Sequence, residues 1–154
     1  MNEYIKETYS KNFDKFLQNT LLVCNKDEKP IATCSHWKAY GKINTIQWFK
    51  THKDYEGKGI GRALLSEIMK RFDNRDYPIY LHTQPGSFRA IKLYSEFGFC
   101  LLKGGQLGAR TNDLEKCLVI LERFMLKSVF KKLKVVETPL SIMKNLEKET
   151  TIQF

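Results

Sequence analysis

Between Thr51 and Leu65 the chain reads Thr-His-Lys-Asp-Tyr-Glu-Gly-Lys-Gly-Ile-Gly-Arg-Ala-Leu-Leu, an extended segment that passes through alternating glycines into an apolar helical repeat. Glycine is needed where a main chain turns sharply or must approach a ligand with no Cβ in the way. The helix start that follows adds unpaired N–H groups and the positive end of a dipole, so Gly57 to Arg62 form a ready anion site. Spacing excludes two common phosphate loops. G-x-x-x-x-G-K-[ST] has no register at Gly57 to Leu64, and G-x-G-x-x-G would need a glycine where Arg62 stands. A second block, Ser87-Phe88-Arg89-Ala90-Ile91-Lys92-Leu93-Tyr94-Ser95-Glu96-Phe97-Gly98-Phe99, sets a hydroxyl, a small residue and a tyrosine along one helix ahead of a glycine stop.

Those residues need a scaffold, and the apolar pattern supplies one. Tyr9 to Gln18 carries Phe13, Phe16 and Leu17 at helical spacing. Thr20 to Cys24 and Ile31 to Trp37 read as an antiparallel hairpin around the turn-rich Asn25 to Pro30. A turn at Ala39 to Lys42 leads into a strand, Ile43 to Lys50, rich in β-branched and aromatic residues. From Gly61 a helix follows, with Ala63, Leu64, Leu65, Ile68, Met69 and Phe72 at helical spacing, and Asp73 to Pro78 ends it. Next come a strand at Ile79 to Gln84, a helix with Ser87 as N-cap and Gly98 as C-terminal cap, and a strand at Phe99 to Leu102. Beyond Lys103 the glycines mark a loop. Asn112 then caps a helix holding Leu114, Leu118, Leu121, Phe124 and Met125, so that about 104–133 form a helical insertion. A last strand is predicted at Leu140 to Leu146, pairing with Phe99 to Leu102, and Glu147 to Phe154 is predicted to fray.

The spacing from Glu56 through Gly59 to Gly61 after a strand resembles motif A of the GNAT acetyltransferases, usually Q/R-x-x-G-x-G/A, with Glu56 in the Q/R place. Ser87 to Phe99 resembles the family's motif B, N-x-x-A-x-x-x-Y-x-x-x-G-F, with Ala90, Tyr94, Gly98 and Phe99 in register and Ser87 replacing the asparagine. The two motifs stand in the family's order, and the resemblance covers about residues 9 to 102. It implies an α/β (α+β) GNAT acyl-CoA N-acyltransferase fold, a central mixed, mainly antiparallel twisted sheet flanked by helices, as one domain over 1–154. The family ordinarily opens with a strand. With only Met1 to Thr8 ahead of the first predicted helix, that strand is expected to be short or missing.

What the resemblance implies chemically is direct transfer of an acetyl group from acetyl-CoA (coenzyme A) to a primary amine in a ternary complex. Such a reaction needs positioning, a proton acceptor, a donor for the developing oxyanion and an acid for the leaving thiolate. In family terms Tyr94 is the acid. The main-chain groups of Phe49, Lys50 and Thr51 match the strand end that holds the pantetheine arm and acetyl carbonyl. Those of Gly57, Lys58, Gly59, Ile60, Gly61 and Arg62 take the pyrophosphate, with charge added by the Lys58 and Arg62 side chains. Ser87 and Ala90 are further cofactor-binding positions, and Arg89 or Lys92 is placed near the 3'-phosphate. Many members carry a glutamate on the strand equivalent to Ile43 to Lys50, whereas this chain has no acid there. His82 is the candidate base because imidazole titrates in the right range, with His36 and His52 as further candidates and a water chain as the alternative. Cys100, in a predicted buried strand with no adjacent histidine, reads as packing.

Bulk properties narrow the partners. The chain has 154 residues, a formal charge of +9 and 42% hydrophobic residues, enough for a folded core. Residues 1–102 hold 16 basic and 11 acidic groups, and 103–154 hold 10 and 6, so the excess is spread and no basic arm stands out. There is no zinc-finger spacing and no basic recognition helix, so nucleic acid is not an expected partner. No apolar run approaches the roughly 20 residues of a membrane span. Four cysteines stand far apart without a C-x-x-C pair, and neither a leader nor a metal-ligand spacing is visible, which points to a reducing cytoplasm and no metal.

The expected acceptor is a small-molecule amine, with a protein or peptide amine as the second enzymatic reading. The positive charge disfavours a polycationic acceptor. A third reading is a non-catalytic acyl-CoA sensor or interaction module, raised by the missing strand carboxylate and by Glu56 and Ser87. The inserted helix either covers the acceptor site or forms a homodimer surface, because an apolar helix face must be buried somewhere.

Overall fold

Alternation along Pro30–Ala39 sorts the flanking helices onto two sides of a sheet. The computed structural model describes residues 3–153. The chain divides into two compact units, Met1–Leu81 with Gln153–Phe154, and His82–Ile152.

In the first unit β1 (Thr20–Cys24), β2 (Pro30–Ala39) and β3 (Ile43–Thr51) form an antiparallel sheet in that order. Trp37 and Ala39 cluster with Tyr9 of α1 (Glu3–Tyr9) and Phe16 of α2 (Phe13–Gln18). The Tyr9 and Phe16 rings stack at 4.1 Å, and Tyr9 meets Trp37 edge-on at 4.9 Å. One position along β2, on the opposite face, His36 meets Phe72. α3 (Ile60–Met69) packs on β2 and β3 and buries Leu64, Leu65 and Ile68, each worth about 1.5–3 kcal/mol. The helix expected over Tyr9 to Gln18 is two helices parted by a 3-10 turn at Ser10–Asn12, whose serine and asparagine are weak helix formers. Helix already begins at Glu3, so no strand precedes it among the described residues; Met1 and Asn2 lie outside them.

The strand predicted at Ile79 to Gln84 shrinks to a parallel bridge between Tyr80 and Thr45, held by Ile46 N–H to Tyr80 O (3.0 Å) and Tyr80 N–H to Asn44 O (2.9 Å). Pro78 has no N–H to extend the ladder at one end. At the other, β3 carries a bulge. Register slips where Thr33 pairs Lys50 but Ser35 pairs Gln47, leaving Trp48 and Phe49 opposite one residue, with Trp48 at φ +52°.

In the second unit α4 (Phe88–Glu96) ends as expected on Gly98, at φ +89°, with Phe99 N–H returning to Tyr94 O (3.1 Å). β4 (Leu101–Lys103) follows, then a small hairpin of β5 (Gln106–Leu107) and β6 (Arg110–Thr111), α5 (Leu114–Phe124) and α6 (Lys127–Phe130). Ile91, Leu121 and Met125 form the core here, with Phe88, Leu101, Val129, Phe130 and Leu133 against it. Asn112 does not cap α5. Asp113 holds the cap position, and Asn112 donates from Nδ2 to Leu102 O at 2.7 Å.

The predicted last strand is overturned: Leu140–Leu146 is a helix, α7. Pro139 stands before its first turn, and Ile142 and Leu146, four apart, are its buried residues, a helical spacing. The partner of β4 is instead β7 (Val135–Glu137), paired in parallel from Leu101 with Val135 to Lys103 with Glu137. Parallel pairing needs a crossover, and residues 104–134, with α5 and α6, provide it.

Candidate active site

The first unit carries Gly57 to Arg62, the predicted anion site. His52 N–H donates to Ile31 O at 2.7 Å, fastening the end of β3 to β2. A single 3-10 turn, Lys53–Tyr55, follows, with His52 Nδ1 accepting from Asp54 N–H. Gly57 and Gly59 then take φ of +74° and +81°, the left-handed region that side chains with a Cβ resist. Nothing lies within 4 Å of where a Cβ would stand at either glycine, so these positions stay open on the ligand side.

Gly59 is the N-cap of α3, and its carbonyl accepts the first helical bond from Ala63 N–H at 3.0 Å. The N–H groups of Gly57, Lys58, Gly59, Ile60 and Gly61 have no main-chain acceptor among the described residues. Successive unpaired N–H groups on open, exposed glycines at a helix start are what a pyrophosphate requires, so the residues present fit that group. Lys58 holds its ammonium 4.9 Å from the Tyr55 ring centre, and the exposed Arg62 follows one turn into the helix. Phe49, Lys50 and Thr51 run from the bulge into this loop. The bulge takes Trp48 and Phe49 out of regular ladder register with β2.

The second unit holds the other predicted residues. Tyr94 is 8% exposed and meets the Phe99 ring edge-on at 6.0 Å. Ala90 lies one turn ahead of it on the same helix face. Ser87 occupies the N-cap position of α4, yet its side chain makes no capping bond, because it also closes the 3-10 turn Pro85–Ser87 with its own N–H on Gln84 O.

His82 is exposed, and its Nε2 lies 3.2 Å from Arg110 Nη1. A guanidinium only donates, so Nε2 accepts and the ring's proton sits on Nδ1. Partial burial, first, and the Arg110 charge, second, hold its pKa below the ordinary histidine range. As placed, the accepting nitrogen of His82 is engaged by Arg110. His36 is also held low, by burial and then by Arg71, and its Nδ1 is buried with no partner among the described residues. His52 is occupied as a turn cap. Burial pushes the Cys34 thiol up to about 12, which suits packing and not nucleophilic work.

Sequence reading passed over Tyr9, Tyr40, Gln47 and Gln153. Tyr9 donates its hydroxyl to Gln47 Oε1 and accepts from Trp48 Nε1 at 3.0 Å. Adjacent residues of a regular strand point to opposite faces, so the bulge is what lets Gln47 and Trp48 reach one hydroxyl. A polar residue inside an apolar strand pattern was the available signal for Gln47; nothing in the pattern marks Gln153.

No helix of the described residues is long and apolar enough to cross a membrane, and they contain no cluster of three potential metal ligands. The sequence model of the acetyltransferase (GNAT) family matches residues 2–99. No curated protein matches the chain. Among solved structures, a GNAT-family acetyltransferase from Staphylococcus aureus MU50 is 18% identical, with 62% of each chain covered and a TM-score of 0.51. The chain thus spans less than two thirds of that neighbour's length. An acetyltransferase from Trypanosoma brucei is 17% identical over 67% of this chain and 76% of its own, at a TM-score of 0.47. Glucosamine-6-phosphate N-acetyltransferase from Arabidopsis thaliana is 14% identical over 73% and 82%, also at 0.47.

Proposed function

The chain belongs to the GNAT acetyltransferase family, and on that premise we propose that it transfers an acetyl group from acetyl-CoA to a primary amine of a small molecule, by direct attack in a ternary complex. The open cradle of unpaired N–H groups at Gly57 to Gly61 is the observation that carries this reading. Acetyl-CoA supplies an activated thioester: the amine nitrogen bonds to its carbonyl carbon, the carbon–sulfur bond breaks, and the sulfur leaves as a thiolate. Gly57 to Arg62 bind the pyrophosphate through main-chain donors, with Lys58 and Arg62 adding charge that salt screens. Phe49, Lys50 and Thr51 offer main-chain groups to the pantetheine arm, and Ser87 and Ala90 add contacts from α4. Tyr94 gives its phenolic proton to the departing sulfur. With His82 Nε2 engaged by Arg110, the proton lost by the amine goes to water, and Tyr94 regains its proton from solvent once the thiol has left. The absence of an acid along β3 supports that route.

Thiol release from acetyl-CoA across a panel of primary amines tests the proposal, with coenzyme A binding titrated alongside. Acetylation of at least one amine is expected. Binding with no thiol released on any amine would leave only a sensor, and no binding at all would remove both.

A further inference from the structure

Gln153 is held in the first unit by three hydrogen bonds that together read a whole residue. Its main-chain N–H donates to Tyr40 Oη (3.1 Å), its side-chain Oε1 accepts from Tyr40 N–H (2.7 Å), and its main-chain carbonyl accepts from Gln47 Nε2 (2.7 Å). The donor on Gln47 belongs to a fixed network. Gln47 is 8% exposed, its Oε1 accepts from Tyr9, and its Nε2 also donates to Thr45 Oγ1 at 2.9 Å. Thr45 Oγ1 in turn donates to Trp37 O at 2.9 Å. These bonds determine which way the Gln47 amide points and use one of its two N–H groups. The second has Gln153 O as its acceptor and no other among the described residues. Were Gln153 to leave, a nine-tenths buried donor would face the vacated space and demand a carbonyl. On the other side, Tyr40 is held at φ +55° in the turn after β2, which presents its N–H and its hydroxyl to the same residue.

We infer that Tyr40 and Gln47 form a seat for a peptide unit with a side-chain carbonyl, a glutaminyl-type ligand, and that Gln153 is its occupant in cis. An amide-containing compound such as a short peptide must displace Gln153 to bind there, a claim separate from the proposed acyl transfer.

The test uses the full chain and the probe acetyl-Thr-Ile-Gln-Phe-amide, followed through the fluorescence of Trp37 and Trp48. Gln153→Pro removes both the N–H and the side-chain acceptor. A seat filled in cis about nine times in ten raises the probe's apparent Kd about tenfold, so Gln153→Pro should bind the probe about tenfold tighter than the wild type. A probe with Leu for Gln should lose about tenfold on that variant. In the same background Gln47→Glu should abolish binding, since a carboxylate cannot donate to the probe's carbonyl; if that protein fails to fold, the Leu probe decides alone. Equal binding to wild type and Gln153→Pro, no binding to Gln153→Pro, or equal binding of the two probes overturns the inference. Coenzyme A titrated into the same samples separates the two claims: binding of coenzyme A without the probe leaves acyl transfer standing and removes the seat, and the reverse result removes acyl transfer and keeps the seat.

Discussion

Gly59→Ala isolates the cradle's main chain. Gly59 sits at φ +81°, and an added Cβ meets no protein atom within 4 Å, so the folded protein resists alanine only through its backbone, by about 1–2 kcal/mol. In a chain of this length each kcal/mol lowers Tm by about 2–4 °C, which predicts a loss of about 2–8 °C. Gly41 supplies the control. It has φ of +68° with the same open surroundings, in the turn between β2 and β3, so Gly41→Ala should lose comparable stability. Coenzyme A affinity separates the two variants. At Gly59 the methyl projects into the open side of the cradle, or the loop shifts to relieve its torsion; either displaces a donor from a charged phosphate. One such bond is worth about 1.5–3 kcal/mol, so Kd should rise roughly 10- to 150-fold, with no change at Gly41→Ala. Calorimetric titration of coenzyme A into both variants, paired with thermal melts, reads both quantities. A Gly59→Ala protein that melts lower yet binds coenzyme A as tightly as the wild type would show that the ligand does not use this turn.

Tyr94→Phe should keep coenzyme A affinity and lower turnover about 10²- to 10⁴-fold in the thiol-release assay; unchanged turnover would remove the acid role. Arg110→Met should raise the His82 pKa, followed by NMR of the imidazole, but leave it below the ordinary value because burial is the larger cause. Since His36 and His82 both titrate low in the folded state, the unfolded chain binds more protons near pH 6.5, and stability should fall as pH drops through about 6.5. Melting curves flat from about pH 7.5 to 5.5 would contradict that sign. Leu121→Ala, at a position 1% exposed between Ile91 and Met125, should destabilise the second unit by about 2–5 kcal/mol, read by denaturant unfolding.

Period and punctuation carried much of the fold. β1 runs from Thr20 to Cys24 as its apolar run suggests, and Gly98 stops α4, because an apolar repeat and a left-handed glycine are local properties. The turn from β3 into α3 was equally legible, since a strand, alternating glycines and a helix start are contiguous. Leu140–Leu146 went the other way. A seven-residue apolar mixture fits a strand or a helix, and burial of Ile142 and Leu146 decides between them only once the unit is packed. β7 was missed for the same reason: three residues have no period, and their pairing with Leu101–Lys103 spans a long crossover.

Consecutive residues were enough to place a glycine turn leading into α3 and a tyrosine on α4, because each is one short run whose backbone demands are local. Their surroundings came from packing. The bulge at Trp48 and Phe49 arises from pairing with β2, and it brings Gln47 to Tyr9. Arg110 reaches His82 from 28 positions away and Gln153 reaches Tyr40 from 113, and both change what those side chains can do. Hydrogen-bond capacity is a property of a residue; whether it is already spent depends on neighbours that only folding supplies.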